Sequence, residues 1–132
     1  MSSCFDEYCT LWHHDPKDTN WTLDSYNKLY QIKNIDDFWC IYNSLNTECL
    51  KYNMLFLMKN DIKPLWEDES NKYGGTVSLK VFHKDIYNSW MELSMALLGN
   101  YICKDESENK LINGISISPK NGFCIIKIWL NK

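Results

Sequence analysis

Trp66 and Glu67 are the residues whose types and spacing point most directly to chemistry: an indole followed at once by a carboxylate, within Lys63-Pro64-Leu65-Trp66-Glu67-Asp68-Glu69. An indole face attracts another flat ring, above all a cationic one, and a carboxylate accepts two parallel N–H bonds from that ring's edge. Together they describe a receptor for a charged heterocycle. Pro64 disfavours helix before the tryptophan and Gly74-Gly75 breaks structure after it, so the pair sits in a long polar loop. Loops carry function more often than cores do. Trp21 is a second tryptophan at a loop tip, following the turn-forming run His14-Asp15-Pro16-Lys17-Asp18-Thr19-Asn20. Asp36-Asp37 belongs to the first turn of a helix, and Asp68 and Glu69 lack a nucleophile or metal partner, so these acids read as solvated. Cys4, Cys9, His13 and His14 match the spacing of no usual zinc site.

Elements that would position these residues follow from periodicity. Residues 1–8 read as a flexible arm, and residues 9–132 as a single domain whose first strand covers Cys9 to His13. Lys28 to Lys33 alternates as a strand, after which Asn34 caps a helix to about Leu45 with Asp37 at the box position. Phe38, Ile41, Tyr42 and Leu45 form its core stripe, and Ile35 and Trp39 an apolar pair displaced from it. Met54 to Met58 and Thr76 to Phe82 are further strands, and Asp85 to Gly99 is a second helix with Trp90 on its core stripe and Met91, Glu92 and Met95 beside it. Lys104 to Lys110 reads as a loop. Leu111 to Ser118 and Phe123 to Leu130 are strands joined through Pro119-Lys120-Asn121-Gly122. Period 2 in the last strand puts Lys127 and Trp129 on one face and Cys124, Ile126, Ile128 and Leu130 on the other. The fold class is α+β, a mostly antiparallel sheet of about six strands backed by two helices.

Composition narrows the function. All 14 basic residues are lysines and the formal charge is -3, which argues against broad binding to a nucleic-acid duplex but not against a small nucleotide pocket. The six cysteines show no paired CxxC spacing, and no apolar run approaches a membrane span; a reduced, cytoplasmic protein without membrane contact is expected. Neither a phosphate-cradling glycine loop nor a catalytic triad is visible, so no enzyme, cofactor or metal is expected.

The ordered set Leu11-Trp12, Thr19-Asn20-Trp21, Ile35-Asp36-Asp37-Phe38-Trp39, Pro64-Leu65-Trp66-Glu67-Asp68-Glu69, Asn71-Lys72-Tyr73-Gly74-Gly75, Trp90-Met91-Glu92-Leu93 and Ile126-Lys127-Ile128-Trp129 resembles the translation initiation factor 4E family, the mRNA cap-binding proteins. The resemblance implies a curved antiparallel sheet with the cap on its concave side and helices on its convex side. It implies that Trp21 and Trp66 sandwich 7-methylguanine, that Glu67 accepts its N1 and N2 hydrogens, and that Trp129 touches the methyl group. The family's phosphate-binding arginine aligns with Lys120 and its lysine with Ile125, so Lys120 and Lys127 are the expected phosphate ligands. Ile35, Trp39, Met91, Glu92 and Met95 match the surface that docks a short helix from a scaffold or repressor. Relatives continue beyond Trp129 with another long helix and further strands. A shortened, virus-encoded member fits the brevity and the A/T-rich composition, its sheet edge being either minimal or covered by a partner or second copy. Two other functions stay open at the level of sequence: a decoy that sequesters scaffold or repressor while binding cap weakly, and an aromatic-cage reader of another methylated cation.

Overall fold

Alternation with period 2 sends successive side chains to opposite sheet faces, and in a computed structural model of the protein, which describes residues 4–131, both faces are used. The chain order is β1 (Cys4–His14), β2 (Tyr26–Asn34), α1 (Ile35–Tyr42), α2 (Thr47–Tyr52), β3 (Met54–Lys59), β4 (Thr76–Phe82), α3 (Ile86–Leu98), α4 (Glu106–Asn109), β5 (Ile112–Pro119) and β6 (Phe123–Leu130). The strands form one curled sheet in the order β2-β1-β3-β5-β6-β4, every neighbouring pair antiparallel.

On one face Leu11, Leu57, Ile115, Ile117, Cys124 and Ile126 pack against Phe38 and Tyr42 of α1, Leu50 of α2, and Ile86, Trp90 and Leu97 of α3. Burying each large apolar side chain there contributes on the order of 1.5–3 kcal/mol. Trp12, Phe56, Met58 and Trp129, one residue out of step with that set, gather on the opposite face. The α+β sheet expected from the sequence is present, with α1 and α3 its two longer helices. No helix among the described residues is long and apolar enough to cross a membrane.

Several local expectations need correction. Cys4 to Tyr8, expected within a flexible arm, belong to β1, and Cys4 pairs with Asn34; residues 1–3 lie outside the described residues. The register shifts between Cys4 and Cys9, which erases the clean alternation that would have marked the strand. Asn34 does cap α1, its Oδ1 accepting from the Asp37 N–H at 2.9 Å, while Asp37 accepts from the Lys33 N–H at 2.9 Å. However, α1 ends at Tyr42, and a further helix, α2, follows because Asn46 caps it through the Cys49 N–H at 2.8 Å. Asp85 stands at the N-cap of α3 without a side-chain bond to the helix. At the other end it is Asn100, with φ 57°, that takes the left-handed position, and the Tyr101 N–H closes onto the Ala96 carbonyl at 2.9 Å. The expected loop from Lys104 to Lys110 contains the single turn α4. The β5–β6 hairpin does turn at Gly122, whose φ of 84° a side chain would strain.

Candidate functional site

The floor of the site is set by the inward face of β6. Trp129 is 3% exposed and its Nε1–H donates to Ser116 Oγ at 3.1 Å, which fixes the ring's orientation. Phe56 meets it edge-on at 6.2 Å between centroids, and Tyr26 meets Phe56 edge-on at 5.4 Å. Burial, and after it the Glu67 carboxylate, push the Tyr26 phenol up to about 12, so it stays a neutral hydroxyl.

Above the floor lies the loop that carries Trp66. Asn71, only 2% exposed, organises it: its Nδ2 donates to the Lys63 carbonyl at 3.0 Å and the Leu65 carbonyl at 2.8 Å, and its Oδ1 accepts from Asn113 Nδ2 at 2.8 Å. Asp68 closes the same loop by accepting from the backbone N–H groups of Lys63 at 3.1 Å and Ser70 at 2.9 Å. Its expected role as a solvated acid is thus replaced by that of a loop clamp, whereas Glu69 pairs on the surface with Lys72 at 2.8 Å. The loop returns to the sheet through Gly74, where a Cβ would lie 1.6 Å from the Leu130 carbonyl oxygen. Trp66 then lies flat on Trp129, 4.4 Å between centroids with 15° between planes, while 47% of it remains exposed.

The opposite wall is a short strap of side-chain turns. Asp18 accepts from the Asn20 N–H at 2.8 Å, and Asn20 Oδ1 from the Thr22 N–H at 3.0 Å, while Ser25 Oγ donates to the Asn20 carbonyl at 2.6 Å. These bonds present Trp21, which is 49% exposed and backed by His14 at 4.0 Å with only 7° between the rings.

One cavity of about 300 Å³ collects Trp21, Trp66, Glu67, Trp129, Lys120 and Lys127, all six of the residues expected at a cap site. Lys120 comes from the hairpin turn and Lys127 from β6, its Nζ 6.0 Å from the Trp66 ring centre. Each exposed indole is covered on one face by a protein ring and stands half open in the cavity. Glu67 is the only carboxylate among the described lining residues. Flat aromatic faces, one carboxylate and two ammonium groups suit a flat cationic ring joined to an anionic tail. Tyr26, Met54, Phe56, Ser116 and Ser118 also line the cavity and were not singled out from the sequence. The alternation of β5 places Ser116 and Ser118 opposite Ile115 and Ile117, a signal that was available.

The family model for eukaryotic initiation factor 4E matches residues 5–132. The chain belongs to the eukaryotic initiation factor 4E family. Among its relatives, eukaryotic translation initiation factor 4E of Dictyostelium discoideum is 36% identical over 110 residues, covering 81% of this chain and 42% of that protein. The Eremothecium gossypii factor is 32% identical over 127 residues, covering 91% of this chain and 58% of that protein. The chain therefore spans about half the length of these curated relatives. A homolog from Acanthamoeba polyphaga mimivirus is 36% identical over 69 residues, covering 52% of this chain and 25% of that protein. The fold is shared with Ascaris suum eIF4E-3, solved with m7G cap, at a TM-score of 0.86 and 24% identity, covering 100% of this chain and 75% of that one. It is shared also with Schistosome eIF4E, solved with m7GpppG and 4E-BP, at a TM-score of 0.88 and 23% identity, covering 100% of this chain and 74% of that one.

In this member of the 4E family the residues expected to dock a partner helix lie on α1 and α3. Trp39 is 37% exposed and sits edge-on against Phe38, and Ile35, Met91 and Met95 are part-buried against the helix-side core. Tyr42 ties the two helices together by donating to Ser94 Oγ at 2.8 Å. Glu92 instead lines a groove of about 400 Å³ between α3 and β4, with Leu79, Val81, Ala96 and Tyr101.

Proposed function

We propose that the chain binds the 7-methylguanosine cap of mRNA in this cavity. The base lies between the open faces of Trp21 and Trp66, Glu67 accepts its N1 and N2 hydrogens, and Lys120 and Lys127 meet the phosphates. Trp129 supports Trp66 from below and borders the methyl group. The observation that carries this reading is the meeting of two half-exposed indoles, one carboxylate and two lysines in a single cavity of a 4E-family chain. Methylation makes the purine cationic, which strengthens both its stacking on electron-rich indoles and its hydrogen bonds to a carboxylate. The Ascaris suum and Schistosome structures, solved with m7G cap and m7GpppG, support the choice of ligand.

Partner docking follows on the same reading. A short amphipathic helix from a scaffold or repressor rests on Ile35, Trp39, Met91, Glu92 and Met95, methionine being suited to an adaptable apolar contact. The chain acts as a binding protein in translation initiation, in the cytoplasm, rather than as an enzyme. Retention on immobilised m7GTP tests the cap reading: release by free m7GTP but not by GTP is expected, and release by both equally, or no retention, counts against it.

A further inference from the structure

We propose that His14 is the positioning residue for Trp21: a neutral imidazole holds the indole open toward the cavity, and protonation of that imidazole opposes binding of a cationic base to the indole's other face. The inference rests on the cap reading for its ligand and on the stack for its geometry. His14 is 0% exposed, parallel to Trp21 within 7°, and its Nε2 lies 2.7 Å from the Asn20 carbonyl oxygen. A carbonyl only accepts, so Nε2 carries the hydrogen and Nδ1 holds the lone pair of the neutral ring. Nδ1 is buried without a hydrogen-bond partner among the described residues. A second proton there would therefore find no acceptor among those residues.

The neutral ring is the form this environment accommodates, and the bond to Asn20 couples it to the same strap that presents Trp21. An imidazolium under Trp21 would also draw on the ring's π-electrons from below while a methylated guanine draws on them from above. Ligand and proton are thus antagonists across one indole. The groups packed around His14 are mostly uncharged or already engaged. From β2, Tyr26 stands 4.7 Å away and stays neutral, its phenol being pushed up to about 12. From β3, the register partner is the uncharged Met54. From the strap, Asp15 and Asp18 are engaged by the backbone N–H groups of Lys17 and Asn20. His13, next along β1, bonds Asn53 instead. Across the cavity the charged groups are Glu67, Lys120 and Lys127.

The test compares wild type, His14→Phe, which keeps the stack but cannot titrate, and His14→Ala, which removes it. Affinity for m7GTP is measured at intervals from about pH 8 to about pH 5.5. Any effect of acid on Glu67 is common to all three proteins. On acidification wild type should weaken relative to His14→Phe by on the order of three- to tenfold. His14→Ala should bind more weakly than either at the alkaline end. Superimposed profiles of wild type and His14→Phe would overturn the antagonism, and full affinity in His14→Ala would overturn the positioning role. Nitrogen-15 imidazole NMR of the ligand-free protein provides a reading independent of folding defects in the variants. The Nε2–H tautomer is expected, with a ring-current shift at the Trp21 indole N–H that His14→Phe retains. The opposite tautomer refutes the proposal. If wild type binds no m7GTP at any pH, the cap reading fails, while the NMR result still decides whether His14 holds Trp21.

Discussion

The two aromatic walls of the cavity are built by different means. Trp66 is held by bonds that reach across the molecule: Asn71 grips two carbonyls of its own loop and is itself gripped by Asn113 of β5, and the loop is threaded past β6 at Gly74. Trp21 is held by a strap whose hydrogen bonds span at most six residues, plus one imidazole behind it. Both indoles are about half exposed, so exposure alone does not distinguish them. The Trp66 wall is anchored to the sheet and also carries Glu67; the Trp21 wall is a local structure stacked on His14, with Tyr26 tilted beside it at 6.4 Å. On the proposed cap reading, selectivity for a methylated ring would reside mainly in the first wall, and adjustment to conditions in the second.

This contrast is open to attack at several strengths. Glu67→Ala should produce the largest loss, because two charge-assisted hydrogen bonds of about 1.5 kcal/mol each amount to on the order of a hundredfold in m7GTP affinity by calorimetry. A loss no larger than that from Trp21→Ala would erase the difference between the walls. Trp66→Ala should cost tenfold or more, since stacking on one base is worth about 1–3 kcal/mol; unchanged affinity in a titration would remove Trp66 from the site. Asn71→Ala tests the anchoring. It strands two loop carbonyls, and urea unfolding should show about 1–3 kcal/mol of lost stability together with weaker m7GTP binding. An intact affinity with lowered stability would show that the Trp66 wall does not depend on its clamp. The smallest effect belongs to the lysines at the mouth. Lys120→Ala and Lys127→Ala should each cost about 0.2–1 kcal/mol toward m7GTP, shrinking as salt is raised, with little change toward 7-methylguanosine lacking phosphates.

Much of this arrangement was legible in the sequence wherever a local rule carried it. Period 2 in β6 separated Trp129 and Lys127 from Ile126 and Ile128, Asn121-Gly122 marked the hairpin that delivers Lys120, and Pro64 and Gly74 bracketed the Trp66 loop. What escaped has a common cause. The Asn71–Asn113 bond joins residues 42 positions apart and leaves no periodic trace, and the start of β1 is masked by a register shift. Helix α2 rests on a single cap at Asn46 within six residues, too short for an apolar stripe to show. His14 read as turn chemistry because only the folded strap brings Trp21 onto its ring. Asp68 read as solvent-facing for the same reason, the Lys63 and Ser70 N–H donors reaching its carboxylate only when the loop closes.

The central claim is that the cavity selects a methylated, cationic guanine between its two indoles. Titrating tryptophan fluorescence with m7GTP and with GTP under the same conditions tests it most directly. Saturable quenching by m7GTP, with GTP weaker by about tenfold or more, is the result expected from cation-strengthened stacking. Equal responses to the two nucleotides, or no response to either, would contradict it.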